Sequence, residues 1–183
     1  IVAPTNLVNL EKLIRERSQK ILDSLPIGEE FNWVEKVSIE LTTQMLAVLF
    51  DFPWEERSNL TRWSDLLGDV EAFGSAEERA HRRDIAFEMG AAFQKLWAEK
   101  AKSPGQHDLI SIMLKSDAMS HMNEYEFMGN LILLIVGGND TTRNSMSAFA
   151  YGLNKFPDQR AILETNHAPE LAVNAMHEII RWQ

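Results

Sequence analysis

The sequence predicts a mainly α-helical fold built around one long central helix, and three observations carry that prediction. Apolar residues recur at helical spacing along most of the chain. Strand signals are too sparse for a βαβ sheet. One segment opens at Asn123 and finds its stop only at Phe156-Pro157, giving a helix ~50 Å long at ~1.5 Å per residue. A helix of that length must cross a domain.

From Thr5 or Asn6, either a fair N-cap, Leu7, Leu10, Ile14, Ile21 and Leu25 follow helical spacing up to Pro26 and Gly28. Phe31-Asn32-Trp33 reads as a short strand. Val34, Val37, Leu41, Met45 and Val48 mark a second helix, stopped near Pro53, and Trp54 to Leu67 a third. Gly68 to Ser75 is a Gly-containing connection that includes Phe73. Ala76 to Lys102 is a long charged helix with Ile85, Met89, Ala92, Phe93 and Leu96 along one face, ended by Ser103-Pro104-Gly105. Asp108 to Leu114 is a short helix and Ser116 to Met122 a loop. Asn123, with Glu126 three residues on, opens the central helix as a capping box. Pro157 and Pro169 each suit a first helical turn, predicting helices over Asp158 to Glu164 and Glu170 to Trp182.

Composition narrows the function. The 183 residues, 45% hydrophobic, are enough for a sizeable core. The 27 acidic residues against 18 basic give a formal charge of −9, which argues against nucleic acid or an anionic membrane surface as partner. There is no cysteine, hence no disulfide and no thiolate ligand from these residues. The five histidines show no metal-binding spacing, so no metal ligand is assigned. The apolar run around Leu131 to Val136 is far short of the ~20 residues that span a bilayer. No signal peptide is seen, and the uncapped ends predict an internal fragment over residues 1–183.

The informative stretch is Leu131 to Asn144, where an apolar run breaks at Gly137-Gly138 into Asn139-Asp140-Thr141-Thr142. Gly137 lies three residues before Asp140 and four before Thr141, so its missing side chain opens the surface beside an acid and a hydroxyl. The Thr141 hydroxyl is expected to bond the Gly137 carbonyl. Two interior glycines cost about 1 kcal/mol each relative to Ala, a cost that helix stability alone does not explain. The alternative is structural: Asp140 pairs with Arg143 or Asn144, and the glycines admit a crossing helix.

These residues resemble the cytochrome P450 family of haem-thiolate monooxygenases. The family's Ala/Gly-Gly-x-Asp/Glu-Thr-Thr/Ser motif is matched at every position by Gly137 to Thr142, and its later Glu-x-x-Arg motif by Glu178 and Arg181. The order of the two motifs fits, and the resemblance covers essentially the whole chain. It is nearest to the soluble bacterial alkane and fatty-acid terminal hydroxylases.

The resemblance implies a partial cytochrome P450 fold around the central helix, haem b and O2 as cofactors of the intact protein, and a ferredoxin with its reductase as electron donors. It implies catalytic roles for Asp140 and Thr141 in delivering protons to bound dioxygen, with Gly137 and Gly138 forming the notch on the haem face. Leu133 and Val136 would line the site of a small apolar substrate, an alkane or fatty acid of medium chain length. Leu66, Leu67 and Phe73 would lie near a mobile lid, Glu178 and Arg181 would be structural, and the location would be cytoplasmic. The thiolate cysteine that holds the iron is absent from these residues, so the chain alone is expected to be inactive. A competing expectation is a non-catalytic helical module for ligand binding or interaction.

Overall fold

The computed structural model describes residues 4–69, 74–103 and 107–182, with side chains described from residue 10 onward. Eight α-helices make up most of it: α1 (Pro4–Asp23), α2 (Glu40–Phe50), α3 (Ser58–Gly68), α4 (Ala76–Lys102), α5 (Leu109–Lys115), α6 (Glu124–Lys155), α7 (Pro157–Thr165) and α8 (Pro169–Trp182).

Local chemistry sets their ends. Asn123 Oδ1 accepts from the Tyr125 and Glu126 backbone N–H groups while Glu126 reaches back to the Asn123 N–H, so the capping box that opens α6 forms as the sequence predicts. Ser75 and Glu78 make a second box at the start of α4, and the Ser75 backbone and hydroxyl hydrogen bonds hold the Glu78 carboxyl below its ordinary range. Prolines begin α7 and α8. α2 ends where Asp51 turns left-handed at φ 49°.

The predicted strand at Phe31 to Trp33 is not formed. Among the described residues there is no strand for it to pair with, and an isolated strand leaves its backbone groups unsatisfied. Asn32 instead caps a π-helical turn, Val34–Ile39, by accepting from the Val34 and Glu35 N–H groups, and that turn runs straight into α2. The third predicted helix is likewise split into a short 3-10 turn, Trp54–Glu56, followed by α3.

The core lies between α2, α3, α4, α5 and the first half of α6. Its centre is an aromatic group in which Phe50 and Phe93 meet edge to face at 5.1 Å, and Phe52 meets Trp63 likewise at 5.9 Å. Phe127, Leu131 and Ile135 of α6 complete it. Lys100 of α4 ties the layers together, pairing with Asp51 after α2 and with Asp108 at the cap of α5. Burial alone would raise the Asp108 carboxyl. The Ser111 N–H and hydroxyl and the Lys100 ammonium outweigh it and hold the group below its usual range.

α7 and α8 fully bury none of their residues and lean on the second half of α6, where Trp182 stacks on Tyr151 at 6.1 Å. Among the described residues no helix is long and apolar enough to cross a membrane.

Candidate functional site

α6 divides lengthwise into stripes, and the predicted site residues fall on more than one of them. Phe127, Leu131, Ile135 and Asn139, spaced four apart, are buried. Two residues further round, about 200° away at ~100° per residue, come Gly129, Leu133, Gly137 and Thr141. This second stripe is open: Leu133 is 70% exposed, and a Cβ added at Gly129 or Gly137 would meet nothing within 4 Å. Thr141 Oγ1 donates to the Gly137 carbonyl at 2.8 Å, as expected of a helical Thr. The hydroxyl proton is thus occupied and the oxygen's lone pairs are left as acceptors.

The two glycines therefore differ. Gly137 belongs to the open stripe. Gly138 lies on the flank toward α2, where Leu46 Cδ2 would be 3.4 Å from an added Cβ. Gly137 leaves the helix surface bare, and at Gly138 an added Cβ would make an ordinary contact with Leu46. Leu133 and Val136 separate in the same way. Val136 faces α3, its Cγ1 3.2 Å from where a Cβ on Gly68 would stand, and it packs against the edge of the core. Leu67 is in the core and Leu66 at its margin, while Phe73 lies outside the described residues.

Asp140 also faces α3. Its Oδ1 accepts from Arg143 Nη2 at 2.8 Å and, at 3.4 Å each, from Ser64 Oγ and Asn139 Nδ2. Arg143 Nη1 in turn donates to Asp65 Oδ1 at 2.7 Å. The structural alternative for Asp140, pairing with Arg143, is thus realised, and among the described residues no crossing helix occupies Gly137. Sequence reasoning missed Ser64 and Asp65 because they lie more than seventy residues away. The only signal was Asp65 on the polar side of a predicted helix.

Glu178 and Arg181 meet through two hydrogen bonds, 2.8 and 2.6 Å, on the exposed face of α8. That contact lowers the Glu178 carboxyl and raises the Arg181 guanidinium from their ordinary values. The pair stands apart from the open stripe. Beyond Thr141 the stripe leads into a groove of about 1310 Å³ between α1, the π-helical turn, α6, α7 and α8. Val37, Phe149, Leu153, Met176 and Ile179 make its walls mostly apolar, with Thr141 and Thr142 at one end.

No model of a known protein family matches the chain. Known structures do. Cytochrome P450-153 from Novosphingobium aromaticivorans is 50% identical with a TM-score of 0.87, covering 98% of this chain and 42% of its own. CYP153D17 from Sphingomonas sp. PAMC 26605 is 55% identical with a TM-score of 0.88, covering 100% and 45%. The chain belongs to the cytochrome P450 family. Among curated proteins, linalool 8-monooxygenase of Pseudomonas putida is 32% identical over 98% of this chain, and steroid C26-monooxygenase of Mycolicibacterium smegmatis 30% over 98%. The chain spans 44% and 40% of their lengths, less than half of each.

The family implies haem, and the open stripe has the chemistry to face one: it leaves the backbone at Gly137 without a side chain, and the exposed Leu133 and the Thr141 hydroxyl beside it would supply an apolar contact and a hydrogen-bonding group. An iron thiolate is not supplied, since the chain contains no cysteine.

Proposed function

We propose that the full-length protein is a haem-dependent monooxygenase that hydroxylates a small aliphatic substrate, a medium-chain alkane or fatty acid at its terminal carbon, with electrons from a ferredoxin and its reductase. Residues 1–183 are one part of its single catalytic domain, and the protein works in the cytoplasm. The observation that carries the reading is the open stripe of α6, where a helix gives up side chains at Gly137 between an exposed Leu133 and the Thr141 hydroxyl. The substrate class is supported by higher identity to the two CYP153 structures, 50 and 55%, than to the linalool and steroid monooxygenases, 32 and 30%. The apolar groove, left open by the described residues, is a face that the rest of the domain covers.

Haem, when bound, supplies the iron at which dioxygen is activated. Four residues of the chain contribute at defined positions. Leu133 holds the substrate by apolar contact. Gly137 keeps the helix backbone within reach of the reacting groups. Thr141 Oγ1, its own proton given to the Gly137 carbonyl, accepts a hydrogen bond from whatever donor stands over the stripe. Asp140, one residue round, is the acid that connects this group to solvent protons.

Two measurements test this. The full-length protein should give the carbon monoxide difference band of a thiolate-bound haem; its absence overturns the reading. Thr141→Ala should raise the share of electrons lost as peroxide by about 10-fold or more, in line with loss of a positioned proton-handling group. Unchanged coupling in that variant removes Thr141 from the mechanism.

A further inference from the structure

α8 carries the Glu178–Arg181 pair, yet it fully buries none of its residues, and a cleft of about 540 Å³ runs between it, α7 and the end of α6. Core packing therefore does not fix how this helix is turned. The pair does not fix it either. Arg181 Nε and Nη2 donate to the two oxygens of Glu178, a fork closed within one turn of one helix, so it travels with α8 whichever way α8 points.

The neighbouring face of α8 supplies the constraint. Ile179 and Trp182, three residues apart and so on one side of the helix, both meet the end of α6. Ile179 comes in over the buried Gly152, where an added Cβ would stand 3.3 Å from Ile179 Cδ1, tighter than an ordinary contact. Trp182 stacks on Tyr151 with the ring planes 15° apart, and Phe156 meets it edge to face at 5.7 Å. The Lys155 ammonium completes the group, 5.6 Å from the Tyr151 and Trp182 ring centres and 5.9 Å from that of Phe156. Among the described residues it has no carboxylate partner, so the rings are its electrostatic contact.

We propose that Tyr151, Gly152, Lys155 and Phe156 form a docking cradle for α8 and that Trp182 is the positioning residue for the Glu178–Arg181 pair. Glu178 and Arg181 come one residue before Ile179 and Trp182, about 100° round the helix. Seating Ile179 and Trp182 on α6 thus sets the direction in which the two charged side chains point, 60% and 69% exposed. Without the cradle the fork stays closed, but its direction is lost.

The inference rests on the monooxygenase reading, in which the pair is a structural element of the haem-binding domain, and the experiment separates the two. In the full-length, haem-loaded protein, Trp182→Ala should quicken amide hydrogen exchange over α8 by about tenfold or more. Haem release to excess apomyoglobin should speed up by a similar factor. Trp182→Phe, which keeps a ring against Tyr151, should recover most of both losses. Tyr151→Ala removes the stacking ring without touching α8 and should follow Trp182→Ala, which also covers the case in which Trp182→Ala fails to accumulate. Lys155→Gln leaves every ring in place and should quicken the exchange by about 2–5-fold, the size of an exposed cation–π contact.

A double substitution distinguishes positioning from general support. Arg181→Ala should by itself speed haem release. Adding Tyr151→Ala should then change the release rate little, because the group that the cradle aims is gone, whereas a merely structural contact would add its full factor. Factors that multiply overturn the positioning role, and unchanged exchange in Trp182→Ala and Tyr151→Ala overturns the cradle. Unchanged exchange in Lys155→Gln removes the ammonium from it. A full-length protein without the carbon monoxide band sinks the monooxygenase reading instead, while the exchange measurement still decides the cradle.

Discussion

Gly137 gives the sharpest test, because its cost and its purpose can be measured apart. A glycine inside an α-helix is about 1 kcal/mol less favourable than alanine. Nothing in the described residues requires it. Gly137 is not in the left-handed region, and a Cβ there would have no atom within 4 Å. Gly137→Ala in the full-length protein stripped of haem should therefore raise the unfolding free energy by about 0.5–1 kcal/mol, read from the urea midpoint at constant m. With haem bound the gain should shrink or reverse, since the methyl then stands on the face proposed to hold the macrocycle. Haem affinity should fall by the matching factor, on the order of tenfold per 1.4 kcal/mol. Gly90 is the contrast: its Cβ would come 2.3 Å from Met128 Sδ of α6. Gly90→Ala must push the flexible Met128 side chain aside, so it should stabilise less than Gly137→Ala does in the haem-free protein despite the same helix propensity gain. Equal stabilisation by Gly137→Ala in the haem-free and haem-bound forms would refute the reasoning, because the open stripe would then not be the haem face. Destabilisation of the haem-free form would refute it from the other side.

Leu133 and Ile135 sit two residues apart on opposite sides of α6, 70% and 0% exposed. Ile135→Ala should cost about 2–5 kcal/mol in urea unfolding, whereas Leu133→Ala should stay within about 0.5 kcal/mol in the haem-free protein and instead weaken substrate binding in spectral titrations. The Asp108 carboxyl, lowered in the folded protein, contributes stability that is present above its ordinary pKa and lost as pH falls through the folded value, that is, below about pH 4. Asp108→Asn keeps the cap of α5 but gives up the charge facing Lys100. It should cost about 1–3 kcal/mol near neutral pH and flatten the acid limb of a stability-versus-pH curve; an unchanged limb removes Asp108 from acid unfolding.

Most of the fold was legible because its punctuation is local. Asn123 with Glu126, Pro157 and Pro169 set their helix ends through groups within four residues, and a single sequence contains all of those. The stretch from Phe31 to Ile39 was not legible. Aromatic and β-branched residues suit a strand, but a strand needs a partner, and Asn32 offered the backbone a nearer solution. In the site, the motif residues were found but their directions were only partly foreseen. The bond from Thr141 to Gly137 follows from helix geometry alone. The direction of Asp140 depends on Ser64 and Asp65, which reach it only through the packing of α3 on α6.

That division has a consequence for how the motif is understood. Five of its six residues occupy four sides of one helix: Asn139 in the core, Asp140 toward α3, Gly138 toward α2, and Gly137 with Thr141 on the open side. Fewer than two turns of unbroken α-helix thus face the core, α2, α3 and the open side. Asn139 shows the tension most clearly. It is wholly buried, its Oδ1 has no hydrogen-bond partner among the described residues, and its amide reaches Asp140 at 3.4 Å. An unsatisfied buried acceptor costs about 1–3 kcal/mol, so Asn139 and Gly137 both run against helix stability within one turn. Two concessions of that size, one facing the core and one facing the open stripe, come just before the acid and the hydroxyl on which the proposed chemistry depends. A segment selected only to pack would have placed an aliphatic residue at 139 and alanine at 137.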